Sequence, residues 1–313
     1  MPDTAAFSPN IMMIKLTIFA IVILLLLGLY KIHSYRIVNK DKSDNYYFSF
    51  FKTEVHYIPM GNSFELGNDK LEPVDIKTVQ IVGRYFLKDR LNVYFKSVKI
   101  KNADPGTFEM LCSKDLFFAR DKNQVYYGNY SFRDLDITSF KFTGPECSPF
   151  LMDKRHVYSI YAIENNQTQN TEIPPLQNVS VEKFRALNDF YATDGRTVYF
   201  KDNPIAGSDV VSFVLIGEYA KDSRHIYYDG LPVENLDPAS FITIDGGGYT
   251  KDKNGVYLGL TPVEDPDGHP KQFLGRPVPG ADPETFVMIK GEKIDYAKDK
   301  SGYYWGGQPQ SAQ

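Results

Sequence analysis

Seven times between residues 89 and 304 the chain places an Asp and, five residues later, a Tyr. The pairs are Asp89/Tyr94, Asp121/Tyr126, Asp153/Tyr158, Asp194/Tyr199, Asp222/Tyr227, Asp252/Tyr257 and Asp299/Tyr304. A period of about 30 residues restricts the chain to an array of small, equivalent supersecondary units. One such unit buries too little apolar surface to offset an ordering cost of roughly 1–2 kcal/mol per residue, so neighbours must cover its faces. An array is a scaffold rather than a chemistry, and the repeat therefore constrains the fold far more than the function.

Three residues before each Asp stands an aromatic: Phe86, Phe118, Phe150, Tyr191, Tyr219, Tyr249 or Tyr296. One residue before each Tyr stands a β-branched residue, with Tyr303 as the exception. Aromatic and β-branched residues on both sides of a short polar link predict a hairpin. The Asp carboxylate suits the first turn position because it accepts backbone amides two residues on. Gly255 and Gly302 fall where a three-residue hairpin loop needs left-handed backbone. Thr197 holds that place in the fourth copy, where a β-branched residue is unfavourable, so a different turn is expected there. Pairing each Asp with the Val four residues on assigns the faces by period-2 alternation. The upstream aromatic, the Tyr and the basic residue before Asp then share one face. The Val shares the other with Leu87, Ala119, Leu151, Ala192, Ala220 or Ala297. The Val face is expected to be tightly packed; the Tyr face is either a second buried layer, the favoured role, or a surface able to stack a sugar or partner.

A second phrase precedes most hairpins, as in KNADPGTFEML (101–111), LDITSFKF (135–142), GSDVVSFVLI (207–216), NLDPASFITI (235–244) and GADPETFVMI (280–289). Asp, often before Pro and followed by Ser or Thr and then Phe, predicts one capped turn opening a strand. Ser180 replaces this Asp in NVSVEKFRAL (178–187), and EPVDIKTVQIV (72–82) is an outlying copy without the Phe.

The run DKNQVYY (121–127), with its variants DKNGVYL (252–258) and DKSGYYW (299–305), resembles the bacterial DKNYY repeat family. The likeness covers roughly residues 72–305. It implies repetitive β structure in proteins that are often membrane-anchored or exported, and it supplies no enzymatic activity, cofactor or catalytic residue. DKSDNYY (41–47) keeps the five-residue step in Asp41 and Tyr46, but Val38 replaces the aromatic and Asn45 the Val. It is a degenerate candidate for an eighth copy.

The chain has 313 residues, net charge −4 and two cysteines. A mildly acidic chain without a basic cluster argues against nucleic-acid binding. Residues 11–30 form the long apolar run, enough for one helical span of the ~30 Å hydrocarbon core. No small-residue cleavage pattern follows it, so an uncleaved anchor is expected. The expected organisation is a tail (1–10), the anchor (11–30), a juxtamembrane segment (31–71), the repeat domain (72–305) and a C-terminal tail (306–313). Lys31, Arg36, Lys40 and Lys42 after the span favour a cytoplasmic body by the positive-inside rule. Family precedent favours export, and so does the placement of Cys112 and Cys147 about one repeat apart, where stacked units bring them within disulfide reach. Two unpaired thiols are the alternative. The expectation adopted is an inner-membrane protein with one N-terminal span and a periplasmic repeat domain.

No nucleophile elbow, phosphate loop or zinc motif is present in the sequence, and no catalytic, cofactor-binding or metal-ligating residue is assigned. His156 and His225 hold equivalent turn positions, where a structural role is favoured over ligation. EDPDGH (264–269) is either a calcium-binding cluster or, by preference, a solvated loop. Two insertions break the period, at 164–179 and 261–280, and are either ornament or partner contacts. The expected architecture is all-β: about seven tandem hairpin units in an open solenoid-like array, with a closed propeller as the alternative. The expected function is a non-enzymatic, membrane-anchored protein-binding module at the bacterial envelope. Its specific form is an immunity protein that neutralises a toxin delivered into the periplasm. The alternative is a peptidoglycan or glycan binder using the Tyr and Phe face.

Overall fold

A computed structural model describes residues 9–32, 35–49, 51–61, 69–112, 117–144, 147–163, 171–291 and 296–310. Most of the expected N-terminal tail and residues 164–170 of the first insertion lie outside them. The chain divides into two compact units, Met1–Phe140 with Asn166–Pro174, and Lys141–Asn165 with Pro175–Gln313.

The architecture beyond the N-terminal helix is all-β, and its module is a small antiparallel meander. In the first repeat the strands Gln80–Gly83, Phe86–Lys88, Val93–Phe95 and Val98–Lys99 form one four-stranded sheet. Each Asp-to-Tyr phrase is the central hairpin of such a sheet. Its register differs from the expected one by a residue. Lys88 faces Val93, Leu87 faces Tyr94 and Phe86 faces Phe95, and the same offset recurs at Lys221↔Ile226 and Ala220↔Tyr227. The Asp amide donates to the carbonyl three residues on (Asp89 N to Asn92 O, 2.9 Å; Asp222 N to His225 O, 3.0 Å). The link therefore has two residues rather than three, and a one-residue shift exchanges faces. Tyr shares its face with the small residue; the upstream aromatic shares the opposite face with Val.

This assignment of faces accounts for the stacking. In the first unit, Phe86, Val93 and Ile100 of the first repeat pack against Ala119 and Tyr126 of the second. In the second unit the same junction joins Phe150 and Val157 to Ala192 and Tyr199, then Tyr191 and Val198 to Ala220 and Tyr227. It continues with Tyr219 and Ile226 against Tyr257, and Tyr249 and Val256 against Ala297 and Tyr304. Each internal sheet thus buries both faces. The small residue opposite Tyr leaves room for the aromatic of the neighbouring sheet, which is why Ala recurs there.

The glycine expectation also needs correcting. Gly255 keeps an ordinary φ, and Gly302, at φ 148, is not in the αL geometry. The Asp carboxylate sets this turn; the fourth copy differs, as expected, in placing left-handed backbone at Gly195 (φ 81), which leaves Thr197 an ordinary φ. Positive φ falls instead at the next turn, two residues after Tyr: Lys96 (φ 55), Gly128 (φ 62), Lys201 (φ 58), Asp229 (φ 50), Gly259 (φ 70) and Gly306 (φ 55). The third copy has β-branched Ile160 there and leaves the meander as a 3-10 helix, Ile160–Ile163.

A further sheet precedes the first repeat, with strands Arg36–Asn39, Ser43–Phe48, Val55–Tyr57 and Asp69–Lys70. Tyr46 is buried against Leu87 and Tyr94, in the place that the upstream aromatic and Val hold in a repeat rather than that of a repeat tyrosine. Asp41, however, is exposed, and its amide donates to the Asn39 side chain (3.1 Å). The degenerate copy keeps a stacked antiparallel sheet and loses both the Asp turn and the facing of its Tyr.

Both insertions contribute strands. Glu172–Ile173 pairs in parallel with Tyr130–Phe132, and Pro270–Pro277 pairs in parallel with Leu231–Glu234. The second joins the fifth and sixth repeats into one eight-stranded sheet. Gln308–Gln310, expected as tail, is the last strand of the seventh repeat.

An α-helix spans Pro9–Ile32, with Leu16, Ile18, Phe19, Ile21 and Leu24 among its exposed side chains. Among the described residues no helix is long and apolar enough to cross a membrane. The described side chains of this helix fall between Met13 and Leu26, so the expected span at 11–30 lies partly outside them.

Gly230 is a sharp test of the stacking. It has φ 74, and a Cβ there would sit 2.5 Å from Phe200 Cβ in the preceding repeat. Gly230→Ala combines an unfavourable backbone with overpacking against a side-chain root. It should cost at least about 2 kcal/mol in a urea titration of the full chain, while Gly268→Ala, with nothing within 4 Å, costs markedly less.

Candidate functional site

The repeated Asp is the chain's most conspicuous polar group, and its surroundings decide whether it is free for chemistry. In every copy Oδ1 accepts the amides two and three residues on, for example Leu91 N and Asn92 N at 2.6 Å each, or Arg224 N and His225 N at 2.7 Å each. Oδ2 accepts the amide of the capping residue in the second phrase: Asp75, Asp104, Ser180, Asp209, Asp237 and Asp282, at 2.6–3.0 Å. The Tyr hydroxyl donates to the same carboxylate in Asp121/Tyr126 (2.9 Å), Asp222/Tyr227 (2.8 Å) and Asp299/Tyr304 (3.0 Å). Asp89, Asp121, Asp153, Asp194, Asp222 and Asp252 are buried. Three or four donors at each of Asp89, Asp121, Asp194, Asp222 and Asp252 make burial of the charge tolerable.

The second phrase completes this latch. Its Ser or Thr hydroxyl accepts the amide that follows the hairpin Asp: Arg90 N to Thr78 (3.0 Å), Lys122 N to Thr107 (3.0 Å), Ser223 N to Ser212 (2.9 Å), Lys253 N to Ser240 (2.9 Å) and Lys300 N to Thr285 (3.1 Å). Ser180 opens its turn without a side-chain cap bond; its own amide still donates to Asp194. The lysine before Asp reaches the following repeat, with Lys88 Nζ donating to Pro105 O (2.8 Å) and Lys221 Nζ to Pro238 O (2.8 Å).

The tyrosines Tyr94, Tyr126, Tyr158, Tyr199, Tyr227, Tyr257 and Tyr304 are all at most 5 % exposed. They form core layers and offer no ring face to a sugar. Burial pushes the phenols of Tyr94, Tyr257 and Tyr304 up to about 12, with the neighbouring carboxylates adding to it. For Asp194, Asp222 and Asp299 burial alone would raise the carboxyl. The amides and the Tyr hydroxyl outweigh it and hold each below the ordinary carboxylate range.

His225 is a turn residue whose Nδ1 lies 3.3 Å from the Tyr227 hydroxyl, and His156 Nδ1 lies 3.6 Å from Asp153. EDPDGH caps the long hairpin Gly255–Glu264/Pro270–Pro277; Asp265 Oδ1 accepts the amides of Asp267 and His269, both at 2.9 Å. Among the described residues no group of His, Cys, Asp or Glu is arranged to hold a metal. Cys112 and Cys147 are both disulfide-bonded.

What remains for binding is at the edges of the repeats. The last sheet presents an aromatic face, with Tyr303 and Trp305 about half exposed beside Tyr296. Tyr303 was visible in the sequence as the one departure from β-branched residues, a signal that this face packs differently.

A family model described as the DKNYY family matches residues 7–130, 160–230 and 219–275. No curated protein matches the chain, and no solved structure does.

Two outcomes follow from the latch. Asp222→Ala strands several buried donors and should cost at least about 3 kcal/mol, against about 1.5–3 kcal/mol for Tyr227→Phe, which removes one bond to a charged group; urea midpoints order them. The pH dependence has two flanks. Carboxyls depressed on folding contribute fully above about pH 4 and lose that contribution as pH falls through their folded values. Phenols raised on folding contribute fully below about pH 10 and lose it as pH rises through about 12. The urea midpoint should be flat between these limits and fall on both sides.

Proposed function

Because this chain belongs to the DKNYY family, whose signature residues here are spent on turns and core, we propose that it is a non-enzymatic, protein-binding repeat module tethered at the bacterial cell envelope. Its specific form is an immunity protein that occupies a toxin delivered by a competing cell. The observation that carries the reading is the state of the repeated carboxylates. A general acid or nucleophile needs free hydrogen-bonding capacity and access to substrate. The buried Asp residues have amides on both oxygens and no access. Arrays of this kind act through the side chains that vary between equivalent positions.

Two features support a tether and an oxidising compartment. The helix Pro9–Ile32 turns aliphatic side chains outward, an arrangement suited to lipid and costly in water. Both cysteines are disulfide-bonded, and structural disulfides persist in the periplasm rather than the cytosol. The lysines and arginine after residue 30 argue the opposite orientation; the disulfide weighs more, since a charge bias shifts insertion whereas a reducing compartment removes the bond. The glycan reading loses the tyrosine face it required, because that face is core.

Localisation and partnership are tested together. Maleimide applied to intact cells should leave Cys112 and Cys147 unmodified until a reductant is added, and a periplasm-dependent reporter fused after Gln313 should be active. Affinity capture of the full chain from envelope extract should recover one specific protein. A silent reporter reverses the orientation, and capture of nothing specific removes the binding role.

A further inference from the structure

Between the fourth and fifth repeats, within the second unit, lies a cleft of about 350 Å³. Its walls are aromatic: Phe190, Tyr191 and Phe200 from the fourth repeat, Tyr219 and Tyr228 from the fifth. Phe190 and Phe200 stack at 6.3 Å, and Tyr219 meets Tyr228 at 5.5 Å. Gly230, next to the lining residue Asp229, is seated against Phe200, and its amide donates to the Tyr191 hydroxyl (3.2 Å). Two exposed carboxylates, Glu218 and Asp229, complete the lining; among the described residues no lysine, arginine or histidine lines it. Asn188, also in the lining, has its Oδ1 committed to the amides of Phe190 and Tyr191.

The equivalent turn positions in other repeats show what these rings accept. Two residues after Tyr94 and Tyr199 stand Lys96 and Lys201, and each ammonium lies over aromatic rings at the repeat edge. Lys96 sits 5.4 Å from the Phe95 centroid, and Lys201 5.8 Å from Phe200 and 5.3 Å from Tyr161. In the fifth repeat the same position is Asp229, at φ 50. There the chain supplies the carboxylate, and among the described residues no cation lies over Tyr219 or Tyr228. The field of the carboxylates reaches the rings. The Tyr228 phenol is raised by burial and then by Asp229 and Glu218, and Tyr219 is pushed up to about 12 by burial, Tyr228 and Glu218.

We propose that this cleft is a cation site that takes the guanidinium or ammonium head of a basic side chain presented by a partner protein. Ring faces attract the cation through their quadrupole, and two acceptor-only groups at the rim neutralise it. A sugar would want donors as well as acceptors, and both rim side chains are carboxylates. The inference rests on the binding-module reading, since the basic side chain arrives on a protein.

The test reads the cleft alone. The full chain, in a polyoxyethylene detergent that carries neither sugar nor ammonium, is labelled with 4-fluorophenylalanine at position 190, which is 46 % exposed. Its fluorine resonance is titrated with n-butylguanidinium, with the neutral isostere n-butylurea, and with chitotetraose. The expected result is a saturable shift with n-butylguanidinium at millimolar concentration, weakened at high salt, and no saturation with the other two probes. The double variant Glu218→Gln, Asp229→Asn should bind about five-fold more weakly; Asn tolerates the positive φ, so near-ultraviolet circular dichroism should be unchanged. Equal response to the urea, saturation by the sugar, or undiminished binding in the double variant overturns the cation assignment. Should the titration fail while affinity capture still recovers a partner, the cleft is wrong and the binding module stands; failure of both removes both.

Discussion

Six of the seven repeats depend on one carboxylate doing two jobs. Oδ1 closes the hairpin link by accepting two amides within three residues, a purely local act. Oδ2 accepts the capping amide of a segment 13 to 17 residues upstream. Local turn chemistry and non-local docking are thereby fixed by a single side chain. Asn would offer one oxygen and turn an NH2 donor towards amide donors. Glu would place its oxygens one methylene further out, beyond the geometry in which one oxygen bridges successive amides. The negative charge strengthens every bond it accepts, which is how it can remain buried at 3 % exposure in Asp89, Asp121 and Asp222.

From that latch the stacking follows. Once the hairpin and its preceding turn are one rigid piece, the face carrying the upstream aromatic and Val is presented to the Ala and Tyr face of the next sheet. The lysine beside Asp lays its stem on that face and donates across the junction to carbonyls of the following turn, as Lys88 does to Pro105 and Phe108. Neighbours are joined by packing and by backbone-directed bonds at once. Stability in such a design is shared between adjacent sheets rather than held by any one. A lesion such as an Asp loss propagates to the junction on either side, because the lost turn no longer holds the face in register.

The sequence disclosed the hairpins, their number, the buried role of the tyrosines and the turn function of Asp, all from a repeated spacing that chemistry could explain. It misled where one residue of register mattered. A two-residue and a three-residue link are both compatible with D-x-x-x-V-Y, and only the Asp89 N to Asn92 O bond separates them. The face assignment inverted with that choice. Glycine drew attention to Gly255, whereas positive φ was needed two residues after Tyr, where Lys96, Lys201 and Asp229 disguise the requirement. The first insertion looked like a loop because its strand pairs in parallel with residues about 40 positions away, a relation no local pattern encodes; the second is in part a local hairpin, Gly255–Glu264 with Pro270–Pro277, masked by its Pro and Gly residues. The cleft was illegible for the same reason: its walls belong to two repeats.

Fold and function divide cleanly along this architecture. Positions that every copy must satisfy, Asp, Tyr, the small residue and the Ser or Thr of the second phrase, are withdrawn from solvent or saturated with hydrogen bonds. The turn after the Tyr strand is constrained in backbone alone, needing a residue that tolerates positive φ. Side-chain chemistry there is free to differ, and it does: a cation in the first and fourth repeats, glycine in the second, sixth and seventh, a carboxylate in the fifth. The three charged choices sit beside aromatic rings at the repeat edge. A cation at this position satisfies the rings from within, while a carboxylate leaves the ring faces to a cation from outside. One permissive backbone position, recurring from repeat to repeat, therefore sets the charge of the edge one repeat at a time, without disturbing the latch that holds each repeat together.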